Sequence, residues 1–161
     1  MSSATGSTSA MKRLSRISFG STAAIVTSTA LVTGLNAIGA SRSTIVAALL
    51  IAALADNLTD TLSIHVYQES ERLEQREAFI GTLCNFVARL LGCLTFVGLV
   101  ALLPLDVIVP ASIIWGTLLL VMLTYLLARE RQVSVPAEIT KHLLSAAVVL
   151  LVSRGIAHYL S

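Results

Sequence analysis

The sequence predicts an all-α, polytopic membrane protein with five transmembrane helices. Three observations predict it. Hydrophobic residues make up 55% of the 161-residue chain and charged residues only 12%, where a soluble domain carries about 25% charged residues. Apolar runs of bilayer-spanning length recur at about 17–40, 44–67, 79–103, 110–128 and 137–160. The basic residues of the short connecting segments fall almost wholly on one side of those runs.

Residues 1–14 open with "MSSATGSTSA" and turn basic in "MKRLSR". They read as a disordered basic N-terminal tail, leaving 15–161 as the transmembrane domain. The run that follows resembles a secretory leader. It is too long and too rich in Ser and Thr for one, and further spans follow, so it is read as the first spanning helix. In "ISFGSTAAIVTSTALVTGLNAIGA", Ser18, Thr22, Thr29, Thr33 and Asn36 fall within about 60° on a helical wheel. Gly20, Ala24, Ala30 and Gly34 flank that face and permit close helix approach. The face is either a tight helix seam, its hydroxyls bonded to their own backbone, or the wall of an oxygen-lined path.

Span two places carboxylates where hydrocarbon is expected. Asp56, Asp60, Ser63 and Tyr67 are spaced i, i+4, i+7, i+11 and share one stripe, with Asn57 and Glu71 at its edge. At about 1.5 Å rise per residue, Asp56 lies near mid-membrane and Asp60 about 6 Å nearer the cytoplasm. Such a carboxylate marks an ion path, a proton relay or a paired charge. Carboxylate, hydroxyl and amide oxygens suit divalent cations such as Mn²⁺ and Fe²⁺. His65 points roughly opposite the stripe and reads as an interfacial polar residue. Glu69, Glu71, Glu74 and Glu77 then alternate with Arg72 and Arg76. They form either a solvated helix laced with ion pairs or an acidic vestibule that gathers cations.

Span three, beginning "FIGTLCNFVARLLG", carries Arg89 one turn beyond Asn85. Its depth of about 15 Å lies between those of Asp60, about 12 Å, and Asp56, about 18 Å. A buried Asp–Arg pair would satisfy both charges and leave one carboxylate over, able to carry a proton. Arg89 is therefore expected as a structural charge partner. Cys84 and Cys93 are nine residues apart on opposite faces of one helix, so they cannot bridge each other and read as packing residues. Pro104 and Pro110 punctuate the next link, and Pro110 suits the first turn of span four. Ser134 and Pro136 mark the start of span five. Near the end of that span, Arg154 and His158 reach for the membrane surface.

Lys12, Arg13, Arg16, Arg72, Arg76, Arg129, Arg131 and Lys141 gather on one side, against Arg42 on the other. The positive-inside rule then sets the N-terminus in the cytoplasm and the C-terminus outside. A prokaryotic inner membrane is the simplest location. No basic patch is interleaved with aromatics, which argues against nucleic acid. Nothing has the spacing of a nucleophile–base pair or a zinc motif, which argues against an enzyme.

The order of these segments resembles the vacuolar iron transporter family of iron and manganese transporters. "FGSTAAIVTSTALVTGL" resembles its opening helix, and "LTDTLSIHVYQESERLE" resembles its second-span run. "KHLLSAAVVLLVSRGIAHYL" resembles its closing helix. The likeness covers about residues 15–160. It implies a homodimer with a pore between protomers lined by spans one and two. It implies export of a divalent metal from the cytosol, possible proton antiport, and no permanently bound cofactor, since the metal is the substrate. The family's span-one aspartate aligns to Ala23, its span-two methionine aligns to Ile64, and its large cytoplasmic metal-binding insert is absent. On that resemblance Asp56 and Asp60 hold the ion or a proton. Asn57, Ser63 and Thr22 add neutral oxygens, and Glu71 and Glu74 gather cations at the entrance. The shift from sulfur to oxygen favours Mn²⁺ or Mg²⁺ over Fe²⁺, or protons alone. The alternative is a non-transporting membrane protein of the same fold whose buried Asp–Arg pairs are structural.

Overall fold

A computed structural model describes the backbone of residues 4–70 and 75–160, and the side chains of 21–59, 62–63, 83 and 85–160. The regular elements of the described backbone are all helices, α1 at Ala4–Ala37, α2 at Arg42–Ser70, α3 at Gln75–Leu102, α4 at Ile108–Glu130 and α5 at Val135–Leu160. Four of them, α2 to α5, contain stretches long and apolar enough to cross a membrane. The boundaries fall close to those expected from hydropathy, except that α1 starts at Ala4 and not near residue 17. Once a helix is nucleated, each further residue adds a hydrogen bond at little cost. The segment 4–14, expected as a disordered tail, is accordingly helical in its backbone.

Local chemistry sets the turns. Gly39 has φ +74°, and Ala40 N–H donates to Leu35 O at 3.0 Å while Gly39 N–H donates to Asn36 O at 3.0 Å. This is a Schellman stop, which needs a residue tolerant of the left-handed region. Two residues on, Ser41 Oγ accepts from Thr44 N–H at 3.2 Å and caps α2. The stop after α4 repeats the pattern with Gln132 at φ 55° and Val133 N–H donating to Ala128 O at 3.1 Å. Pro110 and Pro136 fall in the first turns of α4 and α5, where a missing N–H is harmless.

Arg42, at the start of α2, donates from Nη1 to Val100 O at 2.9 Å and to Ala101 O at 2.6 Å, at the end of α3. The two helices are therefore antiparallel. Ser153, late in α5, donates to Ala30 O at 2.9 Å, so α1 and α5 run the same way. The chain is an up–down bundle, but not a ring. α1 packs against each of the other four helices, while among the described residues α2 touches neither α4 nor α5. The most hydroxyl-rich helix is thus the central post, with α2, α3, α4 and α5 arrayed round it in sequence order. The array stays open between α5 and α2.

The burial pattern is inverted relative to a soluble bundle. Thr29, Thr33, Asn57, Asn85, Arg89, Ser112 and Thr124 are buried, while Ile51, Leu62, Leu118, Leu144 and Leu151 are exposed. Apolar outer faces of this extent suit a hydrocarbon solvent, not water. The apolar core that remains is a column of Val32, Ile45, Leu49, Phe96, Val100, Ile108 and Leu120. Close approach at the post depends on glycine. A Cβ at Gly116 on α4 would overlap Thr29 Oγ1, and one at Gly34 would sit 2.5 Å from Ser153 Oγ.

Candidate functional site

The charged cluster of the bundle lies where α1, α2 and α3 meet. Arg89 Nη2 lies 3.6 Å from Asp56 Oδ2, the pairing that the depth count allowed. The two groups are unequally placed. The Arg89 side chain is 4% exposed and the Asp56 side chain 43%. A guanidinium is fully charged at any physiological pH, so burying one requires an anion at hand, and α2 presents one at the right height. Asp56 lines a small cleft with Ala24, Thr27 and Ser28 of α1, Ala53 and Asn57 of α2, and Cys93 of α3. Behind the pair, Asn57 and Asn85 are both buried. Cys93 is a free, buried thiol and donates to Leu49 O at 3.3 Å.

The structure divides the residues singled out in the sequence. It joins Asp56, Asn57 and Arg89 in one cluster. The helical phase of α2 turns Asn57 inward and Asp56 to the rim, the reverse of their expected order on the stripe. Ser63 is exposed and its hydroxyl donates to Thr59 O at 2.9 Å, so it is not gathered with Asp56. Thr22 is not gathered there either. It lines a separate cavity between α1, α4 and α5. The reason is angular. The face of α1 holding Thr22 and Thr29 looks at α4, where Thr29 meets Gly116, whereas Ala24, Thr27 and Ser28 look at α2 and α3. The oxygen-rich face and the carboxylate stripe do not oppose each other.

The side chain of Asp60, and residues Glu71 and Glu74, lie outside the described residues, as do the side chains of Tyr67, His65 and Cys84. Among the described residues no group of three His, Cys, Asp or Glu side chains is spaced to hold a metal ion. The hydroxyls of Thr29 and Thr33 donate to Ile25 O and Thr29 O, both at 2.8 Å. That is the seam arrangement, in which the backbone takes up each proton.

Two features escaped the sequence reading. Ser28 and Thr27 form the α1 wall of the cleft, although they lie off the face that the wheel emphasised. On α4, Ser112, Gly116, Leu120 and Thr124 recur every fourth residue and are all buried. That stripe of small and hydroxyl residues is the signal that could have identified the surface facing α1. The Ser112 hydroxyl on it finds no hydrogen-bond partner among the described residues.

Compared with protein-family models, with curated proteins and with solved structures, the chain matches none.

Proposed function

We propose that the chain is a five-span integral membrane protein, N-terminus in the cytosol, that moves a divalent cation out of the cytosol, with a proton as its exchange partner. A prokaryotic inner membrane is the simplest location. The observation that carries this reading is the asymmetry of the charge pair. The cation, Arg89, is 4% exposed, while the carboxylate, Asp56, is 43% exposed at the rim of a cleft that both side chains line. A guanidinium facing a path would repel cations. One buried against a carboxylate is neutralised, and in this reading Asp60, one turn along α2 in the sequence, supplies a second carboxylate for the ion or its proton. Thr27, Ser28 and Asn57 bring neutral oxygens to the same cleft, of the hard type that Mn²⁺ and Mg²⁺ accept.

A half-open carboxylate at hydrocarbon depth needs a cover. The gap between α2 and α5 leaves α1 uncovered beside Asp56, and a second copy docked across it would supply that cover. This supports a homodimer.

A second reading is favoured by one observation. Arg89 is satisfied by Asp56, and the post hydroxyls by their own backbone, so the polar groups hold the bundle together without carrying anything. The two readings separate in proteoliposomes that contain a metal-sensitive dye. Wild type, Asp56→Asn and Asp60→Asn proteins are compared for Mn²⁺ and Fe²⁺ flux. Abolished flux in a folded Asp60→Asn protein supports transport along α2. Absence of flux in folded wild type at any imposed proton gradient rejects it.

A further inference from the structure

We infer that the cavity between α1, α4 and α5 binds the headgroup phosphate and upper acyl chain of an anionic phospholipid. The inference rests on the membrane reading but not on transport. The cavity has a volume of about 430 Å³, within the range of small-molecule sites. Its lining is graded. Arg131 and Glu138 stand at the end of the bundle where α4 passes to α5, and His142 is one turn further in. Val26, Leu127 and Ala128 make the apolar interior, and Thr124 lies about 10 Å along the α4 axis from Arg131. A charged mouth over an apolar shaft matches an amphiphile. A free anion would leave the shaft unfilled.

The charge balance selects the sign of the headgroup. The wall contains one carboxylate, Glu138; Lys141 Nζ holds it at 2.7 Å, and His142 and Arg131 also lie near enough to act on its charge. His142 is oriented by the contact of its Nδ1 with Glu138 O at 2.9 Å. Arg131 is exposed and, among the described residues, makes no ion pair. Its fork of donors is therefore available for a phosphate, the partner that its geometry fits. Arg129 is exposed nearby. This is also the end of the bundle that the positive-inside rule places at the cytoplasmic leaflet, where basic pockets between spans meet anionic headgroups.

Native mass spectrometry of the full chain in non-ionic detergent tests the site. Phosphatidylglycerol, phosphatidylcholine of the same acyl chains and inorganic phosphate are titrated separately and in competition. Phosphatidylglycerol is expected to bind roughly fivefold more tightly than phosphatidylcholine, the margin of one surface arginine. Arg131→Gln should remove that margin, while Arg154→Gln, at the opposite end of α5, should leave it intact. Ala23→Leu, which adds bulk to the shaft without changing charge, should weaken both lipids. Equal binding of the two lipids, an unchanged margin in Arg131→Gln, or an equal loss in Arg154→Gln would overturn the inference. Displacement of phosphatidylglycerol by inorganic phosphate at equal concentration would show a free-anion site and overturn the lipid assignment.

Discussion

The Asp56–Arg89 pair can be dissected one side at a time. At 3.6 Å, two unit charges interact by about 1 kcal/mol in a water-like dielectric and about 5 kcal/mol at an effective dielectric of 20. Asp56 is 43% exposed and Arg89 4%, so the pair sits between those limits. Truncating one partner of a fully buried pair costs about 3–5 kcal/mol. Asp56→Asn strands the Arg89 guanidinium, which is only 4% exposed, so its cost is expected within that range, about 3–5 kcal/mol. Arg89→Leu in the same background removes that stranded charge, so the double variant should be more stable than Asp56→Asn alone. The expected coupling in the double-mutant cycle is about 1–3 kcal/mol. SDS titration in mixed micelles reads it through Trp115, whose Nε1 donates to Thr95 Oγ1 at 2.9 Å and so reports the separation of α3 from α4. Single-variant losses that simply add, within about 0.5 kcal/mol, would refute the pairing.

Gly116→Ala should destabilise the bundle by about 1–3 kcal/mol, the usual cost of overpacking, because the new methyl overlaps Thr29 Oγ1 and lies 3.5 Å from Phe96 Cζ. Restored stability in Gly116→Ala combined with Thr29→Ala would locate the clash, and the same titration reads both. Arg42→Ala removes the two bonds to Val100 O and Ala101 O and should cost about 1 kcal/mol. Hydrogen exchange should then quicken at the α2 start and α3 end, and stay unchanged at the α4–α5 turn.

What the sequence made legible depends on whether the relevant quantity lies within one helix. The ends of α2 to α5 followed from hydropathy and from Pro110, Ser134 and Pro136, which act locally. Counting depth set Arg89 between Asp60 and Asp56 as a partner for either, because the rise per residue is nearly constant, and the structure shows the pair with Asp56. The rotation of one helix against another is not encoded in a single wheel. Thr22 therefore appeared to belong with Asp56, although its face of α1 meets α4. Asn57 and Asp56 exchanged their inner and outer places for the same reason. The central position of α1 was also hidden. A face of hydroxyls and small residues serves equally against one neighbour or as part of a post that meets four. Only the matching stripe on α4, Ser112 to Thr124, distinguishes the two, and its significance requires both helices at once.

The placement of α1 also bears on assembly. Helix α1 is made before the four helices that enclose it. Ser153 closes on Ala30 across 123 residues of sequence, so that contact cannot form until α5 has been made. Until then Gly34 and its neighbours face whatever surrounds them. Loop-closure cost grows slowly with length, so the delay matters for timing more than for final stability. A chain cut short before α5 would retain α2, α3 and α4 yet present an unfinished post. The face it would leave uncovered is the small-residue one of Ala30 and Gly34, which meets Ser153 in the finished bundle.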